Sequence, residues 1–305
     1  TRAYVERGHP TSGAYLPDQR VEDGTVEVRV VEGGLARIDV EGLRWLRPQY
    51  VRRRIALGAG RPLDVNDLER ELQLLLRDPR LAGLHAELLP GEGRGDAVLR
   101  VRAEETFPVH AAFEGGNLEP PSVGAWRAGG EVRTDDLTGF GDVLRVAYGW
   151  GPGLDDYQAS YALPWNERDG TLGAHLRIGE SRVTEEPFDA LDIESTTSTF
   201  GFTARQPFLR DLRWDGAVLA SFEWRETESR LAGERFSFAP ESDDGRTKLR
   251  VLRAGGELAF RDRTQVLART ATEFPTAASS RPSPRPSGRA ASPGPSERAS
   301  RASLP

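Results

Sequence analysis

The chain has 305 residues, 37% hydrophobic and 29% charged, with a net charge of −6. That balance excludes a general basic surface for nucleic acid, and no stretch approaches the roughly 20 apolar residues of a membrane-spanning helix. A membrane strand stays open, because it needs only about 10 residues, apolar at every second position. Cysteine and methionine are both absent, so disulfides, thiol nucleophiles and cysteine metal sites are excluded and an oxidising compartment is tolerated.

Residues 1–33 read as the end of a domain. TRAYVERG closes a helix at Gly8, and AYLPDQ and TVEVRVVEG read as two strands joined at Asp23-Gly24. A β-α-α-β-β unit is expected over 34–105. In it LARIDVEGL is a strand, RPQYVRRRIALG a short helix ending at Gly58, and Asp64 the N-cap of a second helix, LDVNDLERELQLLLRD. Leu68, Leu72, Leu75 and Leu76 stand at i, i+4, i+7 and i+8, one apolar face for packing on a sheet.

The glycines of LLPGEGRGDAVL, Gly91, Gly93 and Gly95, pose a choice between a phosphate cradle and a turn. A cradle must open a helix, whose N–H groups point at the anion. Here Leu84, Ala86 and Leu88 alternate before the loop, and Ala97, Leu99 and Val101 alternate after it. Period two on both sides means a hairpin.

From Thr106 to 268 about eight strands follow, with turn residues between. Tyr157, Ala159, Tyr161 and Leu163 share one face, with Gln158 and Ser160 on the other. Leu172, Ala174, Leu176 and Ile178 oppose Gly173, His175 and Arg177. Trp214, Val218, Ala220, Phe222 and Trp224 oppose Glu223 and Arg225. The apolar sets carry aromatic residues at strand ends, as at membrane interfaces, and Gln158, His175, Arg177, Glu223 and Arg225 are expected to face a watery lumen. A soluble β-sandwich also alternates, but strand length, terminal aromatics and inner charge favour a membrane barrel. Residues 269–305 are expected to be a disordered low-complexity tail, since 276–305 are almost wholly Ser, Pro, Arg, Ala and Gly.

Several stretches together resemble the two-partner secretion transporters of the hemolysin-activator and filamentous-haemagglutinin-exporter type. GHPTSGAYLPDQRVEDGTVEVRVVEG at 8–33 looks like the end of their first POTRA domain, and GRPLDVNDLERELQLLLRDPRLAGLHAELLPGEGRGDAVLRV at 60–101 like their second. Asn117, SVGAWR at 122–127, LTGFGDVLRVAYGWG at 137–151, TFGFTARQPFLR at 199–210 and RDRTQVLA at 261–268 are similar to their barrel strands. The resemblance implies α+β POTRA domains followed by the first half of an antiparallel transmembrane β-barrel. It also implies an outer-membrane location with the POTRA domains in the periplasm, and a secreted hemolysin- or adhesin-type exoprotein as partner. The alternatives are a barrel-assembly factor or a soluble β-rich binding protein. No VRGY-like motif occurs, and the family pattern stops after RDRTQVLAR. Truncation at both ends and a frame-shifted tail are therefore expected.

No catalytic site, metal site or cofactor is expected. His9, His85, His110 and His175 are dispersed without metal-ligand spacing. Asp135-Asp136, Asp155-Asp156 and Asp243-Asp244 are taken as adjacent loop pairs whose side chains diverge. In the POTRA topology that the resemblance implies, the strand containing Leu84, His85, Ala86, Glu87 and Leu88 lies at a sheet edge. Its unpaired backbone groups can take on an incoming extended chain, with a groove toward Leu68 and Leu72 on the second helix. Proline at Glu87 is the expected probe, provided that its N–H points away from the neighbouring strand.

Overall fold

In the computed structural model, which describes residues 2–20, 24–238, 242–261 and 266–278, the first helix α1 (Arg2–Glu6) stops before Gly8, whose φ is 89°. The short strands β1 (Gly13–Tyr15) and β2 (Arg29–Val31) pair antiparallel. Asp23 of the expected turn and all of 279–305 lie outside the described residues.

The next unit follows the expected order: β3 (Gly34–Glu41), α2 (Pro48–Ile55), α3 (Val65–Leu75), β4 (Leu81–Pro90) and β5 (Asp96–Glu105). Pro48 stands in the first turn of α2, where its missing N–H costs nothing. The Asp64 carboxylate accepts from the Asn66 N–H at 2.8 Å and caps α3. The sheet order is β3-β5-β4, with β3 parallel and β4 antiparallel to the central strand. Val51, Ile55, Leu63, Leu75, Leu99 and Val101 pack the space between helices and sheet and are essentially inaccessible.

The leucine face of α3 is shifted from expectation at its end. Leu76, the C-cap of α3, is 44% exposed although its backbone stays helical and its N–H still donates to the Leu72 carbonyl at 3.0 Å. Leu74 is buried in its place, beside the Arg54 and Asp169 side chains that line a junction described below.

Ten strands then form one antiparallel sheet, against about eight expected. They are β6 (Val109–Gly116), β7 (Arg127–Thr134), β8 (Val143–Gly151), β9 (Leu154–Pro164), β10 (Thr171–Arg182), β11 (Ile193–Arg210), β12 (Trp214–Leu231), β13 (Glu234–Arg235), β14 (Arg246–Arg261) and β15 (Val266–Ala278). Apart from β13, which pairs only with β12, neighbours in space are neighbours in sequence, so the sheet is a meander. It is not closed, with β6 and β15 as its edges among the described residues. β15 continues past residue 268 to Ala278, into what composition assigned to a tail, because β14 offers its backbone as a pairing partner along that whole length. Composition shows only what a segment can bury; a backbone ladder needs no apolar side chain.

Register sorts the side chains into two faces. Gln158, Arg177, Thr199 and Arg225 are successive cross-strand partners over β9–β12, and Ser160, His175, Gly201 and Glu223 form the next row but one. The opposite face carries Tyr161, Ala174, Phe202, Phe222 and Leu252 as one such row. Its large apolar side chains stand open: Val146, Tyr157, Leu172, Phe202, Val218 and Leu258 are all exposed.

Candidate functional site

The strand β4 is an edge of its sheet, and the phase of its hydrogen bonds can be read from both ends. The Gly91 N–H donates to the Asp96 carbonyl at 2.8 Å, and the Thr106 N–H to the Arg80 carbonyl at 2.9 Å. In an antiparallel ladder bonded pairs alternate with non-bonded ones. Counting by twos from Gly91, and across the register shift at Leu81/Gly83, both ends agree. His85, Glu87 and Leu89 turn their backbone groups toward β5, opposite Arg102, Arg100 and Val98. Leu84, Ala86, Leu88 and Pro90 turn theirs outward. Pro90, which has no N–H to offer, fits an outward position.

The condition attached to Glu87 therefore fails: its N–H serves the internal ladder, and Ala86 is the residue whose N–H is presented. Side chains follow the same alternation. Leu84 and Leu88 pack on the core, while Ala86 between them is exposed, as are His85 and Glu87 on the other face. On α3, Leu72 is half-buried, but Leu68 is 4% exposed and lies inside the core. Leu68 shapes the groove from beneath and offers no surface to a ligand.

The polar face of the large sheet brings Gln158, His175, Arg177, Glu223 and Arg225 together on one side. The organiser is a residue that sequence reasoning missed. Asp156 accepts from Arg177 Nε at 2.9 Å, Gln158 Nε2 at 2.7 Å and Arg127 Nη2 at 3.3 Å. Asp155-Asp156 is not a loop pair, since β9 begins at Leu154. Period two puts Asp156 on the polar face with Gln158, and leaves Asp155 on the other face, where it accepts from the Tyr148 hydroxyl at 2.6 Å. The alternation of DDYQASY carried that signal. Farther along, Glu223 accepts from Arg253 Nη1 at 2.7 Å, with His175 Nε2 at 3.8 Å.

The remaining carboxylate pairs have structural partners. Asp135 binds Arg133 and faces His110 at 3.2 Å, and Asp136 accepts from the Gly139 and Gly141 N–H groups at 2.9 and 3.0 Å. Asp243 pairs with Arg246 through backbone hydrogen bonds of 3.0 Å, and the Asp244 carboxylate faces Arg235. His9 sits against the Leu63 carbonyl at 2.9 Å. Among the described residues no group of three or more His, Asp or Glu side chains is arranged to hold a metal ion.

The β-α-α-β-β unit meets the large sheet at three of its turns, 135–142, 165–170 and 211–213. Arg54 of α2 lies 2.8 Å from Asp169, which also lies 3.0 Å from Arg210, and Arg210 lies 3.6 Å from Glu71 of α3. Arg77 donates to the Asp211 and Leu212 carbonyls, and Arg80 to that of Gly141. The Arg47 N–H donates to the Gly139 carbonyl at 2.9 Å. Behind Arg80, the Tyr50 hydroxyl donates to Asp78 at 2.6 Å and Arg80 Nε donates to the same carboxylate at 2.7 Å. Burial pushes the Asp78 carboxyl up, but Arg80 and the Tyr50 hydroxyl outweigh it and hold the group below the ordinary carboxylate range. Burial raises the Glu71 carboxyl, and Arg210 offsets only part of that.

Residues 1–33 match the family described as POTRA domain, ShlB-type. The chain is similar to the outer membrane transporter CdiB of Dickeya dadantii, with 25% identity over 174 residues, covering 53% of this chain and 30% of that protein. It thus spans about a third of the length of that curated relative. The solved structure of CdiB from Escherichia coli superposes with a TM-score of 0.61 at 21% identity, over 87% of this chain and 49% of the other. BamA from Haemophilus ducreyi lacking POTRA domains 1–3 superposes with a TM-score of 0.55 at 14% identity, over 88% and 54%. Likeness at these identities speaks for the fold, an α+β domain followed by barrel-type strands.

Proposed function

We propose that this chain, whose family match and relatives support a two-partner secretion transporter of the bacterial outer membrane, receives an unfolded secreted protein and passes it across that membrane. The observation that carries this reading is the free edge of β4, which presents backbone groups of Leu84, Ala86 and Leu88 beside a half-open groove. Backbone bonds carry little sequence information, which suits a long and varied cargo of the hemolysin or adhesin type.

The two-faced meander supplies the route. Its exposed apolar face suits lipid, and its polar face, organised by Asp156 and Glu223, suits a watery lumen. The turns that meet the β-α-α-β-β unit are short, whereas the connections at the other end include 117–126, 183–192 and 232–245, with 152–153 the one brief exception. Barrels of this kind have short periplasmic turns and longer outer loops, so the POTRA units belong in the periplasm. None of the clusters described above has the geometry of an enzyme active site.

A pair of proline variants tests the receiving edge. Ala86→Pro removes an outward N–H and leaves the β5 ladder intact, whereas Glu87→Pro removes a bond within the sheet. One ladder bond is worth about 0.5–1.5 kcal/mol net, so Ala86→Pro should weaken binding of the exoprotein's N-terminal segment several-fold with an unchanged melting temperature. Glu87→Pro should lower the melting temperature. The measurement is binding of that immobilised segment to the full chain in detergent, with circular dichroism alongside. An Ala86→Pro protein that folds and binds like the parent would remove β4 as the receiving edge.

A further inference from the structure

The apolar face of the large sheet ends abruptly along β12 and β14. On β12 it runs from Trp214 through Val218 and Phe222 to Trp224, and the next residues on that face are Glu226, Glu228 and Arg230. From Trp214 to Trp224 the strand rises roughly 33 Å, which at the usual barrel tilt of about 40° spans about 25 Å of bilayer. That is the height of the apolar band in such barrels, so the charges begin where lipid headgroups begin. They lie at the end of the sheet away from the β-α-α-β-β domain. Beside them β14 presents Arg250, Lys248 and Arg246, the register partners of Trp224, Glu226 and Glu228.

Charge is uneven there. Glu228 accepts from Arg230 Nη2 at 2.8 Å, from Arg246 Nε at 2.8 Å and from Arg235 Nε at 3.4 Å. One carboxylate accepts about four hydrogen bonds, and three guanidinium forks carry far more donors than that. Lys248 lies 3.5 Å from Glu226, and Arg250 lies over the Trp224 ring. These five cations stand against Glu226, Glu228 and the rim residue Asp244, 3.5 Å from Arg235. Toward β10 the excess disappears, since Arg182 is matched by Glu194 and Glu180 adds a further carboxylate.

We propose that this patch binds the phosphate groups of a lipid headgroup in the outer leaflet, so that β12 and β14 hold an ordered lipid against the sheet. The proposal rests on the membrane reading above and adds a ligand class to it. Guanidinium forks take phosphate oxygens in paired hydrogen bonds, and the side chains of Arg230, Arg235, Arg246 and Lys248 are all open to an incoming anion. A second observation lies below Trp224. An open trough of about 410 Å³ begins at Phe222, the next residue on that face, and is lined by Leu172, Ala174, Phe202, Ala204 and Ala220 as well. Alanines among larger side chains make a depression, and an apolar one suits an acyl chain. Cations above and trough below stack in the order that a lipid requires.

The probe is a diphosphorylated glucosamine lipid, lipid A, set against its dephosphorylated form, with retention of each measured on the immobilised full chain in detergent. The parent protein should retain the phosphorylated form and release the other. Arg230→Gln combined with Arg246→Gln should lower that retention on the order of tenfold, as for two basic contacts at a charged lipid surface. Arg2→Gln combined with Arg70→Gln makes the same charge change at exposed sites outside the sheet and should leave retention as it was. Equal retention of the two glycolipids overturns the proposal, as does equal loss in the two double variants. Inorganic phosphate alone should bind too weakly to register by calorimetry, and binding as tight as that of the glycolipid overturns the lipid source. Vesicle insertion separates this failure from that of the membrane reading. A chain that inserts into phosphatidylcholine vesicles yet does not distinguish the two glycolipids loses this proposal alone, whereas one that inserts into no vesicle loses the membrane reading with it.

Discussion

Val218→Arg is expected to block assembly of the sheet into a bilayer, while Thr203→Arg on the opposite face is tolerated. Val218 is 52% exposed and stands on the apolar face between Trp214 and Trp224. In the proposed membrane arrangement the two tryptophans stand at the interfaces; Trp214 packs on Phe260 with ring centroids 4.7 Å apart, and Arg250 lies 5.2 Å over the Trp224 ring. Arginine on a lipid-facing midplane site costs roughly 2–4 kcal/mol, falling to about 0–1 near the interfaces. Phe222→Arg, beside Trp224, should therefore be milder than Val218→Arg. Thr203 is the better inward control than Glu223, since an arginine at 223 would meet Arg253. The readout is the fraction of the chain that is recovered, protease-resistant, in outer-membrane fractions. Equal losses at Val218 and Thr203 would show that the faces are misassigned.

Asp78→Asn should unfold the β-α-α-β-β domain at markedly lower denaturant. The carboxylate serves both the Tyr50 hydroxyl and Arg80, and the change leaves a largely buried guanidinium without its counter-charge. Breaking a buried pair in this way costs about 3 kcal/mol, the low end of the usual range because Arg80 keeps some exposure. A pH signature accompanies it. The Asp78 group lies below its ordinary value in the folded state, so its contribution is complete above the unfolded carboxylate value of about 3.9 and is lost as pH falls through the folded one. Parent protein should lose stability over that acid window, and Asp78→Asn should show less of the loss. Denaturation of the full chain followed by the Tyr50 environment would check both. A variant with unchanged stability would mean that Arg80 is held by the Gly141 carbonyl alone.

What could be read from one sequence follows from how local the signal is. Strand alternation is local, so the shared face of Gln158, His175, Arg177, Glu223 and Arg225 was legible before any coordinates, as were the Asp64 cap and the hairpin at Gly91–Gly95. Asp156 was missed because two adjacent aspartates read as a turn, although β9 runs through both from Leu154. The phase of the β4 ladder is different in kind. It depends on which residues of β5 stand opposite, and no side-chain pattern reports it. Illegible for the same reason is the joint at Asp169, whose partners Arg54 and Arg210 lie far away along the chain. Leu76 shows the remaining limit, since helical spacing puts a residue on a face but does not say how far along the helix that face is covered.

Pro90 closes the outward row of β4, and this bounds the contact in length. A cargo strand laid along that edge has only Leu84, Ala86 and Leu88 from which to take N–H groups before the donors run out. With about 0.5–1.5 kcal/mol net from each bond, such a hold is shallow, and its lifetime correspondingly brief. A strand that slips by one residue exchanges its two faces, whereas a slip by two restores them. If cargo is received there as proposed, the footprint favours an advance in two-residue steps, each released almost as readily as it was caught, so that grip and passage are compatible on the same short ledge.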